Sequence, residues 1–314
     1  CALDLLIDLV AGHEPNMAVT TALGFIPMLM GFISRDKPAL LRATSLRLLH
    51  VLVEDNQVNC VAACGSGAVK KLVALLDPNA MGEYHATSVI DVLRSLVFKE
   101  GEKVSTEACG FHGAMPKLAC IVKNTRENNE TKDRALRLIA QMCPSGVGFA
   151  AQLHADDMVK EVITFLQNGP GFGIQGAAAW VLGSFAVHAA HTHSGNDTDP
   201  FPEVIAFRAR LRRAIPTLVQ FVEAPQSEPR SAASVRALAN FSAVNKDFRE
   251  EIARCGGAPL LTTVLAETTG VGPHAKNKRS FAALALNNMA TGCMEADVTK
   301  RKRCALADDA AARY

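Results

Sequence analysis

Aromatic residues are scarce in this chain, and long apolar runs are absent from it. Phe, Trp and Tyr make up 5% of its 314 residues, with a single tryptophan, although apolar residues together reach 49%. The core must therefore be built mainly from Leu, Val, Ala and Ile, which suits closely packed helices better than a sandwich or barrel of aromatic-rich strands. No apolar run approaches the roughly 18 residues of a membrane-spanning helix. The composition favours an all-helical protein and argues against a membrane span.

The chain also lacks a strong net charge and a pattern of paired cysteines. Its 33 basic and 31 acidic residues leave a net charge of +2, so nucleic acid is not an expected partner. Any electrostatic preference must come from the local placement of charges. The nine cysteines lie scattered without a framework spacing, which predicts reduced thiols in a cytosolic or nuclear protein. We therefore expect a cytoplasmic protein, with the nucleus as the alternative.

A short phrase, in which glycine precedes a proline or lysine, returns along the chain. Strong copies occur at Gly24–Leu29, Gly67–Leu72, Gly113–Leu118 and Gly256–Leu261, and weaker ones at Asp157–Lys160 and Arg213–Pro216. The proline or lysine positions are separated by 43, 46, 44, 56 and 43 residues. Self-similarity near this period indicates a stacked helical solenoid, in which each unit buries its apolar face against its neighbours.

The residues around each phrase predict a three-helix unit. A short helix precedes the glycine, a second helix opens at the proline or lysine, and a third, longer helix follows a polar turn. The long helices are predicted at Ala39–Val53, Ala86–Phe98, Lys132–Met142, Ile174–His188, Arg230–Val244 and Asn277–Ala290. These patterns predict one domain over residues 1–292, with a basic tail at 293–314. Its six repeats lie at roughly 15–55, 56–100, 101–144, 145–190, 201–244 and 245–292.

Three segments resemble the armadillo-repeat family, the fold of β-catenin and importin-α. They are GGAPLL at Gly256–Leu261, ALANFS at Ala237–Ser242 and AAAWVLGSFA at Ala177–Ala186. The resemblance covers nearly all of residues 15–292, and the HEAT repeat is the related alternative. It implies a right-handed all-α solenoid of about six repeats, whose third helices line a concave groove that holds an extended segment of a partner protein.

In armadillo proteins, one asparagine of each third helix clamps the backbone of the bound peptide, because an amide offers a donor and an acceptor together. Aligned on Asn240 and Asn288, the equivalent positions here are Val51, Ser95, Gln141 and Ser184. Four residues earlier, on the same helical face, lie Arg47, Asp91, Arg137, Trp180, Arg236 and Leu284. The predicted groove residues are Arg47, Asp91, Ser95, Arg137, Gln141, Trp180, Ser184, Arg236, Asn240 and Asn288. The alternative interpretation is that these residues serve capping and packing.

The charges of this register decide between modes of binding. Importin-α-like proteins carry Trp at most of the earlier positions, whereas this chain has only Trp180 there and three arginines, at 47, 137 and 236. A positive stripe of Arg47, Arg137 and Arg236 would repel a basic nuclear localisation signal, which disfavours a nuclear transport adaptor. It would favour an acidic or mixed-charge segment, as in the β-catenin-like mode. The alternative is that the three arginines only make local ion pairs.

A second class of function is the runner-up interpretation of the solenoid. The protein could be a structural subunit of a large cytoskeletal or ciliary assembly, making its contacts through edges and inserted loops rather than through the groove. An assembly subunit would be insensitive to changes in the groove, whereas a peptide-binding scaffold would not.

Three features have residue types found at sites of chemistry. His188, His191 and His193 could share a metal, but no spacing completes a four-ligand set, and a polar loop is the preferred interpretation. The glycines of 169–173 follow a helix and lack the Gly-Lys-Ser/Thr ending of a phosphate loop, so a turn is predicted there. The basic run at 300–303 is interpreted as a solvated end, with a nuclear localisation signal as the alternative. No nucleophile is paired with a base, and we predict no enzymatic activity and no cofactor.

Overall fold

The computed structural model describes residues 2–34, 36–76, 83–97, 113–124, 127–143, 158–191, 202–223, 227–267 and 275–291. Within these ranges every regular element is a helix and none is a strand. The fold is therefore all-α, as the sequence predicts.

The described residues form seventeen helices. In chain order they are α1 Ala2–Val10, α2 Glu14–Ala22, α3 Phe25–Phe32, α4 Ala39–Val53, α5 Gln57–Gly65, α6 Ala68–Leu75, α7 Glu83–Val97, α8 Ala114–Lys123, α9 Asn129–Met142, α10 Met158–Asn168, α11 Phe172–His191, α12 Pro202–Arg212, α13 Ile215–Glu223, α14 Glu228–Val244, α15 Lys246–Arg254, α16 Gly257–Ala266 and α17 at 275–291.

These helices follow the predicted order of two short helices and one long one. The order is complete in α2–α4, α5–α7, α12–α14 and α15–α17. The pairs α8–α9 and α10–α11 are the second and third helices of two more units. The segment predicted to be the first helix of the α8–α9 unit, residues 104–109, and the tail at 293–314 lie outside the described residues. Helix α1 packs on α2 and α4, in the position of a third helix, and the sequence pattern did not predict it.

A cap and a glycine fix the geometry at the start of these units. Helices α2, α5 and α15 each begin after a side chain that accepts a backbone N–H three residues further on, namely His13, Asn56 and Asn245. Eleven residues after each cap lies a glycine with a left-handed backbone, at φ of 75°, 75° and 80° for Gly24, Gly67 and Gly256. Side chains rarely adopt this conformation, so glycine allows the sharp turn between the first and second helices.

The N-terminal compact unit, Cys1–Glu161, stacks its long helices side by side. Helix α1 packs on α4, α4 on α7 and α7 on α9. The second helices are linked by lysines: Lys71 Nζ donates to the carbonyl of Met30 at 2.8 Å, and Lys117 Nζ donates to that of Val73 at 2.6 Å. Each ammonium thus lies at the carboxyl end of the preceding second helix, where the helix dipole favours positive charge.

The C-terminal compact unit, Val162–Tyr314, is organised around the long helix α14. Helix α11 packs along α14, which also contacts α13 and α15. A Cβ added at Gly183 in α11 would lie only 2.9 Å from the Cα of Ala237 in α14, so the two helices approach closely there. The fully buried rings of Phe241 and Phe248 meet edge to face, with centroids 5.4 Å apart, and join α14 to α15.

No helix in the described ranges is long and apolar enough to cross a membrane by itself. Two helix pairs, α2 with α3 and α5 with α6, would pass on length and composition when taken together, and they are bent by 75° and 77°.

Candidate functional site

A charged cavity lies along the long helices α4, α7 and α9 of the N-terminal unit. Its volume is about 470 Å³, and its lining consists of His50, Glu54, Asp55, Asp91, Arg94, Ser95, Asp133, Arg134, Arg137 and Gln141. Four of the predicted groove residues are among them: Asp91, Ser95, Arg137 and Gln141. The alignment of the long helices on Asn240 and Asn288 thus selected residues that the fold brings to one cavity, called the N-terminal cavity below.

Ion pairs connect several of the charged side chains that line the N-terminal cavity. Arg134 of α9 pairs with Asp91 of α7, and Arg94 Nη1 lies 3.7 Å from the other carboxylate oxygen of Asp91. On α9 itself, Arg137 Nε donates to Asp133 Oδ2 at 2.8 Å. These side chains are only partly exposed, so their pairing is screened less than that of a surface ion pair.

The pairing leaves hydrogen-bonding capacity in the N-terminal cavity. Asp133 Oδ1, Gln141 Oε1 and Arg94 Nε are buried and have no partner among the described residues. A buried polar atom without a partner costs about 1–3 kcal/mol relative to a satisfied one. Asp133, Gln141 and Arg94 line the N-terminal cavity, so a ligand that turns these side chains toward itself gains two acceptors and one donor.

His50 adds a neutral group to this lining. Burial lowers the pKa of its imidazole below the ordinary 6.5; Glu54 raises that pKa, and Arg134 and Arg94 lower it further. The imidazole is therefore uncharged at neutral pH. The charged side chains of the lining are then the carboxylates of Glu54, Asp55, Asp91 and Asp133 and the guanidiniums of Arg94, Arg134 and Arg137. Both signs are present in nearly equal number.

In the C-terminal unit, Arg236 of α14 stacks on two aromatic rings. Its guanidinium carbon lies 5.1 Å from the ring centroid of Trp180 in α11 and 5.5 Å from that of Phe281 in α17. Burial lowers the pKa of this arginine, which nevertheless remains protonated at any physiological pH. Among the described residues, no carboxylate forms an ion pair with it. The indole Nε1 of Trp180 is buried and likewise has no described acceptor.

The two predicted ladder asparagines bond to the neighbouring long helix. Asn240 Nδ2 donates to the carbonyl of Gly183 at 3.1 Å, and Asn288 Nδ2 donates to the carbonyl of Ala239 at 3.3 Å. Gly183 and Ala239 come just before Ser184 and Asn240, the residues that the sequence alignment placed at the equivalent position of the preceding repeat. The hydrogen bonds therefore agree with that alignment. Ser184, in contrast, is 2% exposed, and its hydroxyl donates to the carbonyl of Trp180 within its own helix.

The predicted positive stripe has partners within the protein. Arg47 Nη1 lies 3.6 Å from Asp4 Oδ1 of α1, and Arg137 pairs with Asp133 as described above. Local ion pairing, the alternative named from the sequence, therefore describes Arg47 and Arg137. Arg236 differs, because its described partners are aromatic rings rather than a carboxylate.

Sequence reasoning missed several residues of these sites. In the N-terminal cavity they include Asp133 and Arg134, which lie four and three residues before Arg137 on the same helix face. This spacing on one helix face is the sequence signal that could have identified Asp133 and Arg134. In the C-terminal unit the missed residue is Phe281, seven residues before Asn288 and thus two turns away on the same face.

The other candidate sites are turns or lie outside the described residues. The structure does not describe the side chains of His188 and His191. His193 and the basic run at 300–303 lie outside the described residues. Within the described ranges, no group of His, Cys, Asp or Glu is arranged to hold a metal ion. Gly169 and Gly171 lie in the break between α10 and α11, with Gly171 at φ 88°, and Gly173 lies in the first turn of α11, so the predicted turn into the next helix is confirmed.

Comparison with known proteins identifies the fold. No family model and no curated protein matches the chain, but solved structures do. An engineered protein matches 92% of the chain with a TM-score of 0.72 and 18% identity, and the chain spans 64% of that protein's length. A designed armadillo repeat protein matches 84% of the chain and 99% of its own length, with a TM-score of 0.64 and 17% identity.

A second designed armadillo repeat protein, solved in complex with the peptide (KR)4, matches 83% of the chain and 99% of its own length, with a TM-score of 0.62 and 17% identity. At these identities the likeness establishes the fold alone. The chain therefore has an armadillo-like repeat fold, an all-α solenoid, as the resemblance of its sequence implies.

Proposed function

We propose that this protein is a non-enzymatic interaction scaffold, which binds an extended, mixed-charge segment of a partner protein along its long helices. The observation that carries the proposal is the N-terminal cavity with its unsatisfied polar atoms. A peptide backbone supplies an N–H and a C=O at every residue, and these groups match the acceptors Asp133 Oδ1 and Gln141 Oε1 and the donor Arg94 Nε.

The charges of the N-terminal cavity support a segment that carries both signs. Asp91 is paired with Arg94 and Arg134, and Asp133 with Arg137, so a ligand that approaches these side chains must exchange their ion pairs for its own. A segment of one sign would satisfy half of the lining and leave the other half with desolvated, unpaired charge. A mixed-charge segment replaces both partners of each pair.

The structural neighbours support a peptide as the ligand. One designed armadillo repeat protein was solved with (KR)4, and others were computationally designed for modular peptide recognition. The (KR)4 peptide, which contains only basic residues, is the peptide in the complex of that designed protein. Because the N-terminal cavity of this chain contains both signs of charge, we expect its ligand to differ from (KR)4 in composition.

A peptide selection tests the proposal. A display library of random dodecapeptides is selected on the purified chain, and the enriched peptides are synthesised for anisotropy titrations. We expect peptides with both acidic and basic residues, whose affinity falls about 10-fold or more in an Asp133→Ala/Gln141→Ala double variant, since hydrogen bonds to charged groups contribute about 1.5–3 kcal/mol. Lys246→Ala/Glu250→Ala, which removes an exposed ion pair of α15, is the matched control. The proposal fails if no peptide is enriched, or if the double variant binds as the parent does.

One observation favours the second candidate function, a structural subunit of a large assembly. Several large apolar side chains on α1, α2 and α5 are between 58% and 73% exposed: Leu5, Leu9, Val19, Val58 and Val61. Exposed apolar surface of this kind is typical of a contact with another protein. This function predicts that Val58→Glu/Val61→Glu abolishes incorporation into a large complex, measured by size exclusion of cell extract, while Asp133→Ala/Gln141→Ala leaves incorporation unchanged.

A further inference from the structure

We propose that Arg236 of the C-terminal unit binds a carboxylate of the partner segment, so that an aspartate or glutamate side chain is an anchor of the bound peptide. This inference rests on the proposed function and goes beyond it, because it names the residue of the partner that is recognised and the group that recognises it. All of the residues that carry it belong to α11, α14 and α17.

The first step concerns how Arg236 is held. The rings of Trp180 and Phe281 lie over its guanidinium at 5.1 Å and 5.5 Å. A ring face attracts the cation without supplying the oxygen acceptor that a guanidinium N–H normally bonds, so these donors remain available to an anion. A guanidinium held between two rings also has less conformational freedom to lose when it binds an anion. Arg236 is thus held in place before a ligand binds.

The second step is a comparison with another arginine of the same helix. Arg230 also lies over two rings, at 4.3 Å from Phe172 and 4.2 Å from Phe221. It differs from Arg236 in being only 6% exposed, and its Nη1 donates to Gln175 Oε1 at 2.6 Å. A protein acceptor therefore takes one donor of Arg230, whose buried Nε has no described partner and is closed to a ligand. Arg236 has similar aromatic contacts, is partly exposed and has no described acceptor. The comparison separates a packing role from a binding role.

The third step identifies the chemistry of the ligand. Arg236 brings guanidinium N–H donors for which no acceptor is described, and beside it the indole Nε1–H of Trp180 is buried without a described acceptor. The side-chain nitrogen of Asn240, one turn beyond Arg236, is already engaged with Gly183. Donors require an acceptor, and a full positive charge in a partly desolvated setting favours an anionic one. A planar carboxylate matches the flat edge of a guanidinium through two parallel hydrogen bonds.

The fourth step explains why the anchor is placed at Arg236 rather than at another predicted arginine. Arg47 and Arg137 are each paired with an aspartate of the same chain. A partner carboxylate that approached them would have to displace that aspartate. At Arg236 it displaces no described carboxylate, so its attraction is gained without breaking an ion pair.

A double-mutant cycle tests the inference with the synthetic peptides from the selection described above. Each acidic residue of a peptide is changed in turn to its amide, and binding is measured on the parent and on Arg236→Gln. We expect one Glu→Gln or Asp→Asn change to weaken binding to the parent about 10-fold or more, and to have less than a twofold effect on Arg236→Gln. Arg47→Gln, at the equivalent register position, should leave the full effect of the peptide change in place. The fluorescence of Trp180, the single tryptophan of the chain, gives an independent signal of occupancy.

The outcomes separate this inference from the proposed function. If peptides bind but every acidic residue contributes equally to binding on the parent and on Arg236→Gln, the inference is wrong and the proposed function stands. The same conclusion follows if the selected peptides contain no acidic residue, or if phosphoserine binds Arg236 in preference to aspartate. If no peptide is enriched at all, both fail. Coupling that is confined to Arg236 and one acidic residue supports both.

Discussion

The side-chain amide of Asn240 donates to the main-chain carbonyl of Gly183, with 3.1 Å between nitrogen and oxygen. The bond crosses from α14 to α11 at Gly183, where an added Cβ would lie 2.9 Å from the Cα of Ala237. Asn288 makes the equivalent bond from α17 to Ala239 of α14. The donor of each ladder asparagine therefore holds neighbouring repeats together. No described donor reaches either Oδ1, so each amide oxygen remains an acceptor for a ligand.

Gly183→Ala should destabilise the C-terminal unit. The added Cβ would lie 2.9 Å from the Cα of Ala237, a backbone atom that cannot rotate away. We expect a loss of about 1–3 kcal/mol in the free energy of unfolding, as for other overpacked sites, measured by urea denaturation. Gly176→Ala, in the same helix, is the matched control, since its Cβ would lie at an ordinary 3.4 Å from the Cα of Arg230. That change should be neutral or stabilising by up to about 1 kcal/mol, because alanine favours helix. Equal effects of the two changes would contradict the close approach of α11 and α14.

Asn59→Ala should destabilise the N-terminal unit more than Asn16→Ala does. Both asparagines donate Nδ2 to the carbonyl of the residue seven positions earlier, at 2.7 Å in each case, and they lie at the same place in successive repeats. Asn59 is buried and also accepts from the hydroxyl of Thr21, whereas the bond of Asn16 is exposed. Water can replace the exposed bond, so we expect a cost of about 1–3 kcal/mol at Asn59 and well under 1 kcal/mol at Asn16. Thermal unfolding of the two variants provides the measurement. A larger loss for Asn16→Ala would show that burial does not set the cost.

The sequence predicted the helices well where their starts carry local signals. Helix Ala39–Val53 was predicted with its observed bounds, and the second helices begin within two residues of their predicted starts. A left-handed glycine followed by Pro or Lys is a signal that needs no tertiary information. Helix α1 was missed because no glycine phrase precedes it.

For the sites, the sequence predicted the positions of residues along each helix but not the contacts between helices. Alignment of the long helices on Asn240 and Asn288 placed Asp91, Ser95 and Gln141 at inward positions, and the fold brings them to the N-terminal cavity. Register does not specify which charged side chains meet across helices, because that depends on the rotation and stagger of one helix against the next. The pairing of Asp91 with Arg134 and the stacking of Arg236 on Phe281 are contacts of this kind.

Protonation of His50 should destabilise the protein as the pH falls. Burial lowers the pKa of His50 in the folded state below 6.5, so below that value the unfolded chain binds more protons than the folded protein. The stability that neutral His50 contributes is therefore fully present above pH 6.5, and it is lost as the pH falls through the pKa of His50 in the folded state. His50→Gln should reduce the decline of the unfolding free energy between pH 7 and 5, by at most about 1.4 kcal/mol per pH unit for one proton. Urea denaturation of both proteins across this range isolates the contribution of His50 from that of the carboxylates. Identical slopes would contradict the assignment.

Leu261→Ala should cost far more stability than Leu265→Ala, although both lie in α16. Leu261 is fully buried, whereas the side chain of Leu265 is 44% exposed. Truncation of a buried leucine costs about 2–5 kcal/mol, because it removes apolar contacts and leaves a cavity, and an exposed leucine loses little of either. Denaturant unfolding compares the two variants.

The same variant tests how the repeats are coupled. Helix α16 packs on α13 and α15, and repeats stabilise chiefly their neighbours. Amide hydrogen exchange in Leu261→Ala should therefore accelerate first in α13, α15 and α16, while α4, α7 and α9 keep the protection they have in the parent protein. If protection instead fell by the same factor in all six helices, the repeats would unfold as one cooperative block, and nearest-neighbour coupling would be the wrong description of this solenoid.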